Sequence, residues 1–362
     1  MNLKILTSGI LAVVLLLQSC QDNDAVPTED AYLDLPATPY QYTTGDRVPT
    51  LGRVLFYDKQ LSLNNSVACA TCHKQASAFA DNVAFSRGFE NKATARNSMP
   101  IQNLAFGILT GGDTFPGAGA ISLFWDGRQH DVRQMVLEPI ANHIEMGVTD
   151  FDKLADKLEK TPYYKNLFKD AFGTSDVTSQ RIAQGLAAFI TSINSNHTAL
   201  DKSVVGGGSP LTPLQQQGQK LFIEKYDCNS CHQVQSPVGY IMAGTFANIG
   251  LDVVYEDSGV AARSGKAQDA GKFKIPSLRN LSFTAPYMHD GRFATLEEVI
   301  DHYSTGIKAN ENLDGRLRDA KGAPRQFNIT VGDRTALIAF LQTLDDKGVL
   351  TDPKFSNPFK TR

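Results

Sequence analysis

Two short cysteine motifs constrain this chain more than any other feature. The sequence CATCH occupies residues 69–73, and CNSCH occupies residues 228–232. Two cysteines three positions apart, with a histidine directly after the second, form the attachment signature of a c-type haem. In that signature each cysteine sulfur bonds to the porphyrin and the histidine is the proximal ligand of the iron. The motifs therefore predict two covalently attached haem groups, held by Cys69, Cys72, His73, Cys228, Cys231 and His232.

Two other uses of paired cysteines are less consistent with the sequence. Cysteine pairs that hold zinc usually lie closer together in the chain, and they need no histidine after each second cysteine. A redox-active dithiol of the thioredoxin type would accompany a parallel-sheet pattern, and we find no such pattern in the sequence. Haem attachment is the interpretation that uses both histidines.

The first twenty residues have the features of an export signal. Lys4 supplies a charged start, and the apolar run over residues 10–17 is too short to span a membrane. The stretch LQSC ending at Cys20 resembles a bacterial lipoprotein box, in which Cys20 carries the lipid; an ordinary cleaved signal is the alternative. Residues 21–45 are polar and contain prolines, which predicts a flexible tether. We therefore expect a periplasm-facing lipoprotein of the cell envelope that reaches the membrane only through a lipid anchor at Cys20.

The composition narrows the partners and the redox chemistry. The formal net charge of the 362 residues is −3, which gives no electrostatic reason to expect nucleic-acid binding. Of the five cysteines, four belong to the haem motifs and the fifth is Cys20, so none is left for a structural disulfide.

An internal repeat indicates two domains of similar construction. LGRVLF at residues 51–56 precedes the first haem motif and QGQKLF at residues 217–222 precedes the second, with Gly and Leu-Phe at matching places. Helical periodicity recurs over residues 150–168, 179–193 and 333–344. We predict a mainly α protein with two cytochrome c-like domains, each with one covalently attached haem c.

The domain boundaries follow from glycine and proline. The prediction is a signal peptide over 1–20, a tether over 21–45, an N-terminal domain over 46–203, a linker over 204–213 and a C-terminal domain over 214–362. Residues 108–122 are predicted to be a loop. Residues 244–272 are glycine-rich and polar, and the segment is either a loop that wraps a haem or a disordered insertion.

Five further motifs complete a family pattern. They are FWDGR at 124–128, EPI at 138–140, EMG at 145–147, IPSLRN at 275–280 and TAPYMHDGR at 284–292. Together with the two haem motifs, they resemble the bacterial di-haem cytochrome c peroxidases and their MauG-like relatives, over nearly all of the mature chain.

The resemblance implies a reaction and its partners. The expected enzyme is an oxidoreductase that reduces hydrogen peroxide to water with electrons from a small redox protein, either a cytochrome c or a cupredoxin. Two alternatives are a MauG-like oxidase that acts on a protein substrate and a non-catalytic di-haem electron carrier. A homodimer is left open.

The resemblance also implies roles for individual residues. The first motif holds the peroxidatic haem and the second holds the electron-transfer haem. Glu145 matches the distal acid/base, since a carboxylate can take a proton from one peroxide oxygen and return it to the other. Trp125 matches the tryptophan between the haems. Asn97, with the backbone oxygens of Thr284 and Pro286, matches a calcium site. Without the resemblance, the first three would be an exposed glutamate, a core aromatic and a turn residue.

Two departures from the family pattern bear on the ligands of the two irons. Residues 82–96 contain no histidine to cap the peroxidatic iron, and Phe89 stands near its expected position. The usual distal methionine of the second haem falls on Tyr303, in a helix that a capping box of Thr295 and Glu298 begins. Tyr303 is either an iron ligand, as the resemblance to MauG-like enzymes implies, or an ordinary core tyrosine. His302 and Met288 are weaker candidates for that ligand.

Overall fold

In the computed structural model, the chain is built mainly of short helices. The structure describes residues 32–34, 46–104, 122–204, 208, 210–234 and 246–360. The predicted signal peptide with Cys20, most of the tether, the loop over 108–121 and part of the linker lie outside the described residues. Within them, no helix is both long enough and apolar enough to cross a bilayer.

Helices account for most of the regular structure. The α-helices are α1 Arg47–Tyr57, α2 Cys69–Cys72, α3 Val132–Met135, α4 Leu137–Ala141, α5 Phe151–Glu159, α6 Tyr164–Phe172, α7 Ser179–Ser192, α8 Ala199–Val204, α9 Pro213–Lys220, α10 Ala261–Ser264, α11 Leu296–Asp301, α12 Val331–Leu341 and α13 Gly348–Thr351. Two π-helical turns, Leu221–Lys225 and His302–Gly306, continue α9 and α11. The 3₁₀ turns are Lys59–Leu61, Gln75–Ser77, Cys228–Ser230, Ala267–Asp269, Leu281–Phe283, Gly315–Leu317, Gln342–Leu344 and Pro353–Phe355. The strands β1 Phe246–Ala247 and β2 Phe273–Lys274 pair in antiparallel fashion.

Helix α1 crosses α7 at very close range just before the first haem motif. A Cβ atom on Gly52 would lie 1.8 Å from the carbonyl oxygen of Gly185, so the crossing requires glycine at position 52. Four residues further along α1, the ring of Phe56 packs on that of Phe189 with centroids 5.2 Å apart. This contact anchors the start of the haem-binding segment on α7.

The second haem motif is introduced by the same crossing. A Cβ atom on Gly218 would lie 1.9 Å from the carbonyl oxygen of Ala336, and the ring centroids of Phe222 and Phe340 lie 5.4 Å apart. The glycine and phenylalanine that repeat in the sequence therefore have one function in both copies. They allow the helix before each motif to approach a second, long helix.

The buried apolar residues form two large clusters. One contains residues of α1, α6 and α7, and the other is built around the π-helical turn Leu221–Lys225 and α12. The chain does not divide between them exactly as predicted, because Val349 and Phe355 belong to the first cluster. Arg53 donates to the carbonyl oxygen of Ser356 at 2.7 Å, so the end of the chain returns to α1. The C-terminal segment thus covers the first core, although the prediction assigned all of 214–362 to the second domain.

Two further predictions need correction. The tether predicted over residues 21–45 includes Leu33, which is buried and forms a β-bridge with Phe359; an apolar side chain at this place is covered by the first core. The helix predicted over 150–168 is two helices, α5 and α6. Pro162 lies between them and cannot continue the hydrogen-bonding pattern of α5. The helices predicted over 179–193 and 333–344 are confirmed as α7 and α12, the latter with a terminal 3₁₀ turn.

Candidate haem sites

The histidine of the first motif is held with one ring nitrogen free for a metal. Helix α2 carries both cysteines, and the His73 amide donates to the carbonyl oxygen of Cys69 at 2.9 Å. The Nδ1 atom of His73 donates to the carbonyl oxygen of Phe79 at 3.0 Å. Metal-binding histidines usually donate their second ring N–H in this way, which fixes the ring and leaves Nε2 for the metal.

The second motif repeats the arrangement with a different partner. Its cysteines lie in and directly after the 3₁₀ turn Cys228–Ser230, and Nδ1 of His232 donates to the carbonyl oxygen of Pro276 at 3.2 Å. Burial lowers the pKa of His232 to about 4, so the ring is the neutral imidazole that iron binds. The motifs predict both histidines but not the Pro276 carbonyl, because it lies 44 residues from His232 and no local pattern indicates the contact.

The second cysteine pair faces internal space. Burial raises the pKa of Cys69 to about 12 and that of Cys228 to about 12, yet both residues keep partial solvent accessibility. Cys228 and Cys231 line a cavity, as covalent attachment to a bound group requires. The two pairs pack against different hydrophobic clusters, and the described residues contain no group of three or more His, Cys, Asp or Glu side chains that could hold a metal ion. This arrangement disfavours a zinc site shared by the two pairs.

A large cavity opens beside the second motif. Its empty volume is about 1740 Å³, which includes solvent space at its mouth. Lys274 lies in the wall, and no described residue forms a hydrogen bond or ion pair with its ammonium group; burial lowers its pKa to about 8. Arg316 and Arg325 lie in the same wall. These cations suit a ligand with carboxylate groups, as haem has.

The long loop before β2 encloses this cavity. Ala247, Ile249 and Leu251 line the space, which favours the wrapping alternative over a disordered insertion for the described part of the segment, residues 246–272. Arg96 fixes the loop by donating to Asp257 at 2.6 Å and to Asp126 at 2.7 Å. These bonds join the loop to the segments that carry Asn97 and Trp125.

Glu145 lies close to the first cysteine pair. Burial is the main cause that raises the pKa values of Cys69 and Cys72, and the negative charge of Glu145 is a smaller cause for both. Burial also raises the pKa of Glu145 itself, against the charge of Arg128. Asn142 donates to one carboxylate oxygen at 3.3 Å, and the backbone carbonyl of Glu145 accepts from the amide of Phe89 at 2.9 Å. Thus the structure brings Glu145, Phe89 and the first motif into one region.

Trp125 and Asn97 are neighbours in the wall of the cavity beside the second haem motif. The indole Nε1 of Trp125 donates to the carbonyl oxygen of Asn97 at 2.9 Å. The Asn97 amide group donates to the carbonyl oxygens of Val83 and Ala84, in the loop after the first motif, at 3.1 and 3.2 Å. Asn97 thereby connects the loop beside the first haem motif to the wall of the second cavity.

The remaining predicted residues also line this cavity. Thr284, Pro286 and Tyr303 all contribute to its wall. The helix that carries Tyr303 begins at the predicted capping box, since the Thr295 hydroxyl accepts from the Glu298 amide and the Glu298 carboxylate accepts from the Thr295 amide.

The geometry separates Tyr303 from one of its two competitors. The Tyr303 hydroxyl forms no hydrogen bond with any described residue, and its pKa is raised above the usual range by burial. His302 points elsewhere, with Nε2 at 3.0 Å from the carbonyl oxygen of Ile249. Met288 lies in the same wall as Tyr303. Tyr303 also packs on the small apolar cluster around Ile307, as a core residue would, while its position in the cavity wall suits a ligand.

Comparisons with known proteins agree with this geometry. Residues 47–208 match the family model described as di-haem cytochrome c peroxidase. The methylamine utilization protein MauG of Methylophilus methylotrophus is 30% identical over 298 residues, which cover 82% of each chain. The cytochrome c551 peroxidase of Nitrosomonas europaea is 28% identical over 85% of this chain and 84% of its own. A MauG-like protein associated with microbial copper homeostasis superposes with a TM-score of 0.72 at 31% identity, covering 90% of this chain and 98% of that chain.

Proposed function

Because the chain belongs to the family of di-haem cytochrome c peroxidases and MauG proteins, we propose that its first haem site reduces hydrogen peroxide and that its second passes electrons to the first. The protein is an oxidoreductase of the cytochrome c peroxidase type with two haem c groups and a mainly helical cytochrome c-like fold. Its substrates are hydrogen peroxide and a reduced cytochrome. The net reaction is hydrogen peroxide plus two electrons and two protons to two waters.

The observation that carries this proposal is the half-buried Glu145, whose charge acts on both thiols of the first cysteine pair. The haem bound at Cys69, Cys72 and His73 supplies the iron that binds peroxide and accepts electrons. The Glu145 carboxylate takes the proton from one peroxide oxygen and returns it to the other. Asn142 orients that carboxylate through its 3.3 Å hydrogen bond, and burial keeps bulk water from competing for the proton.

The second site supplies the electrons. Cys228 and Cys231 would attach its haem and His232 would be the proximal ligand. The ammonium group of Lys274, which has no partner among the described residues, would pair with a haem carboxylate. Trp125 lies in the wall of this cavity and is tied to Asn97, which reaches the loop of the first motif. We assign Trp125 to the electron path between the two haems. The donor is a cytochrome c or a cupredoxin.

The first iron is proposed to be open to peroxide in the oxidised enzyme. The loop over residues 82–96 contains no histidine, and Phe89 lies beside Glu145 in its place. The electron paramagnetic resonance spectrum of the oxidised, haem-loaded protein tests this proposal. A high-spin ferric signal is expected, and a spectrum with two low-spin irons would contradict it.

A MauG-like oxidase of a protein substrate is the second candidate, and Tyr303 is the observation that favours it. A phenolate ligand stabilises ferric iron, whereas methionine raises the potential. Tyr303→Phe should change the ligand-field spectrum of the second haem, while the control Tyr287→Phe should not. Tyr287 lines the same cavity, but its hydroxyl donates to the carbonyl oxygen of Leu281 at 2.8 Å. An unchanged Tyr303→Phe spectrum would assign Tyr303 to the core and leave Met288 as the ligand.

A calcium ion between the haems is a further part of the proposal. Asn97 uses its amide nitrogen for two hydrogen bonds, which leaves its side-chain oxygen for a cation, and Thr284 and Pro286 line the same cavity. Oxygen-only ligation suits calcium.

The organisation of the whole chain follows the same proposal. We divide it into a signal peptide over 1–20, a tether over 21–31, an N-terminal haem domain over 46–203 and a C-terminal haem domain over 214–348, with the end of the chain packed on the first core. The family is periplasmic, and Cys20 would anchor the protein to a membrane. Incorporation of an alkyne-labelled fatty acid, and its loss in Cys20→Ser, tests the anchor. Sedimentation tests a homodimer.

Steady-state peroxide turnover with reduced cytochrome c tests the function itself. The expected result is peroxide-dependent oxidation of two cytochromes per peroxide. A haem-loaded protein that exchanges electrons with cytochrome but consumes no peroxide would be the non-catalytic carrier instead.

A further inference from the structure

A buried carboxylate connects two adjacent tyrosines in the first core. The hydroxyls of Tyr163 and Tyr164 both donate to the same oxygen of Asp58, Oδ2, at 2.8 and 2.7 Å. The two tyrosines are 5% and 0% exposed. The other carboxylate oxygen of Asp58 accepts from the amide of Gln60 at 2.9 Å. One carboxylate oxygen is therefore in position to receive a proton from either phenol.

The inner end of this pair lies near the first haem motif. Tyr164 belongs to the core cluster on which Cys69 packs. Helix α1 packs against both α2, which carries Cys69, and α6, which begins at Tyr164. Cys69 is an attachment point of the proposed peroxidatic haem. Tyr164 thus lies in the same packed core as the site where peroxide would generate oxidising equivalents.

The outer end reaches the protein surface. The ring centroids of Tyr163 and Tyr164 lie 4.8 Å apart, and those of Tyr163 and Tyr32 lie 5.5 Å apart. Tyr163 and Tyr32 line a surface pocket whose empty volume is about 1190 Å³, including open solvent. Successive rings at such separations allow an electron to pass in short steps from this pocket to the core.

The pocket carries a net positive charge. Lys153, Lys157 and Lys160 line it, and Asp156 supplies the one negative side chain among its described lining residues. Lys157 is held in place because its ammonium group donates to the carbonyl oxygen of Ser62 at 2.9 Å. A pocket with this charge concentrates small anions.

From this arrangement we propose that Tyr164, Asp58 and Tyr163 form a redox relay between the first haem and the lysine-lined pocket. This proposal rests on the proposed peroxidase function. The relay accepts single electrons from a small anionic reductant, such as a phenolate, an enediolate or a sulfonated hydroquinone. It is a second electron entry to the enzyme, independent of the second haem and of the protein donor.

Each step of the relay is balanced through Asp58. Tyr164 gives one electron to the oxidised first site while its hydroxyl proton moves to Asp58. Tyr163 then gives one electron to the Tyr164 radical, which regains that proton, and the hydroxyl proton of Tyr163 moves to Asp58. One electron from the reductant restores Tyr163, and Asp58 returns the proton. Two such transfers, with two protons from water, complete the reduction of one hydrogen peroxide to two waters.

Freeze-quench electron paramagnetic resonance of the haem-loaded enzyme tests the relay directly. After peroxide is added without any donor, the wild type should show a tyrosyl radical, and the double variant Tyr163→Phe/Tyr164→Phe should lose it. The control is Tyr57→Phe, because the Tyr57 hydroxyl donates to the carbonyl oxygen of Phe355 at 2.7 Å and not to Asp58. A radical of unchanged yield in the double variant would overturn the relay, and Asp58 would then be only a structural acceptor.

Turnover with matched donors tests the pocket. Tyr163→Phe should lower peroxide turnover with hydroquinone sulfonate by about tenfold and leave turnover with reduced cytochrome c unchanged. Lys153→Gln with Lys160→Gln should raise the KM for the sulfonate but not for neutral hydroquinone. Equal losses with all donors, or none with the sulfonate, would contradict the proposal. Absence of wild-type turnover with every donor, cytochrome included, would instead refute the peroxidase function itself.

Discussion

Replacing Glu145 with glutamine tests the proposed chemistry most directly. The substitution keeps the size of the side chain and an oxygen that can accept the 3.3 Å hydrogen bond from Asn142. It removes the group that accepts a proton. The other nearby carboxylates are not available to replace Glu145, because Glu138 is paired with Arg128 at 2.6 Å and Asp81 with Lys74 at 2.7 Å.

The expected loss is large because no second free carboxylate stands beside the first motif in the described part of the chain. A positioned acid/base contributes about 10²–10⁴-fold to a reaction rate. We expect Glu145→Gln to lower kcat/KM for hydrogen peroxide by this factor, which corresponds to about 3–5 kcal/mol of transition-state stabilisation. Binding of the protein donor should be unchanged, so the KM for cytochrome should stay within about twofold of wild type.

The pH dependence supplies an independent check. Burial raises the pKa of Glu145 above the usual glutamate range, and only the ionised form accepts a proton. The acid limb of the wild-type kcat/KM profile should therefore lie above that range and should be absent in Glu145→Gln. Because the folded-state pKa is raised, Glu145 favours folding below its unfolded-state pKa, and this contribution is lost as the pH rises through the folded-state pKa. The variant should thus be at least as stable as wild type at neutral pH.

Stopped-flow reaction with peroxide, followed at the haem absorbance, measures these effects. The matched control is Glu138→Gln, which removes a neighbouring carboxylate that is already paired with Arg128. It should change kcat/KM far less than Glu145→Gln. Equal peroxide reaction rates in wild type and Glu145→Gln would refute the assigned role of Glu145 and indicate a different acid/base group.

Three other perturbations test the fold and the proposed calcium site. Gly218→Ala should lower the free energy of unfolding in urea by about 1–3 kcal/mol, because the new Cβ would lie 1.9 Å from a backbone oxygen. The control Gly332→Ala should not lower it, because a Cβ there meets nothing within 4 Å. Asp201→Asn should lower the free energy of unfolding by about 2 kcal/mol. Burial raises the pKa of Asp201, but hydrogen bonds from Arg279 outweigh it and lower that pKa, so the stability that this pair gives the wild type should be lost as the pH falls through the lowered pKa. A difference in stability that does not depend on pH would contradict this assignment. Calcium should raise the Tm of the wild type but not of Asn97→Ala, and equal shifts would move the site elsewhere.

Local sequence patterns predicted the chemistry of attachment well. Each haem motif places two sulfurs and one imidazole within five residues, so α2 or one 3₁₀ turn suffices to orient them. The Gly and Leu-Phe repeat also correctly predicted two copies of one local structure, because a close helix crossing excludes a side chain at Gly52 and Gly218. The capping box at Thr295 is equally local, and it begins α11 as predicted.

Patterns that depend on a distant partner were predicted less well. The periodicity over 150–168 continued through Pro162, where the helix breaks. Leu33 looked like part of a polar tether and Phe355 like part of the second domain, yet both are buried in the first core. Neither stretch is long or periodic enough to show which core it covers, since that depends on which apolar surface is left open after the rest of the chain has folded.

The sequence by itself determined the two haem attachment sites, the helical repeat around them and the family to which the chain is similar. The tertiary structure decided which groups meet across the chain. It paired His232 with the carbonyl of Pro276 and joined Asp58 to two tyrosines more than a hundred residues away. It also placed Tyr303 in a cavity wall, where its hydroxyl has no hydrogen-bond partner among the described residues. A motif fixes bonds within a few residues, whereas a contact between distant segments exists only after packing has set their distance.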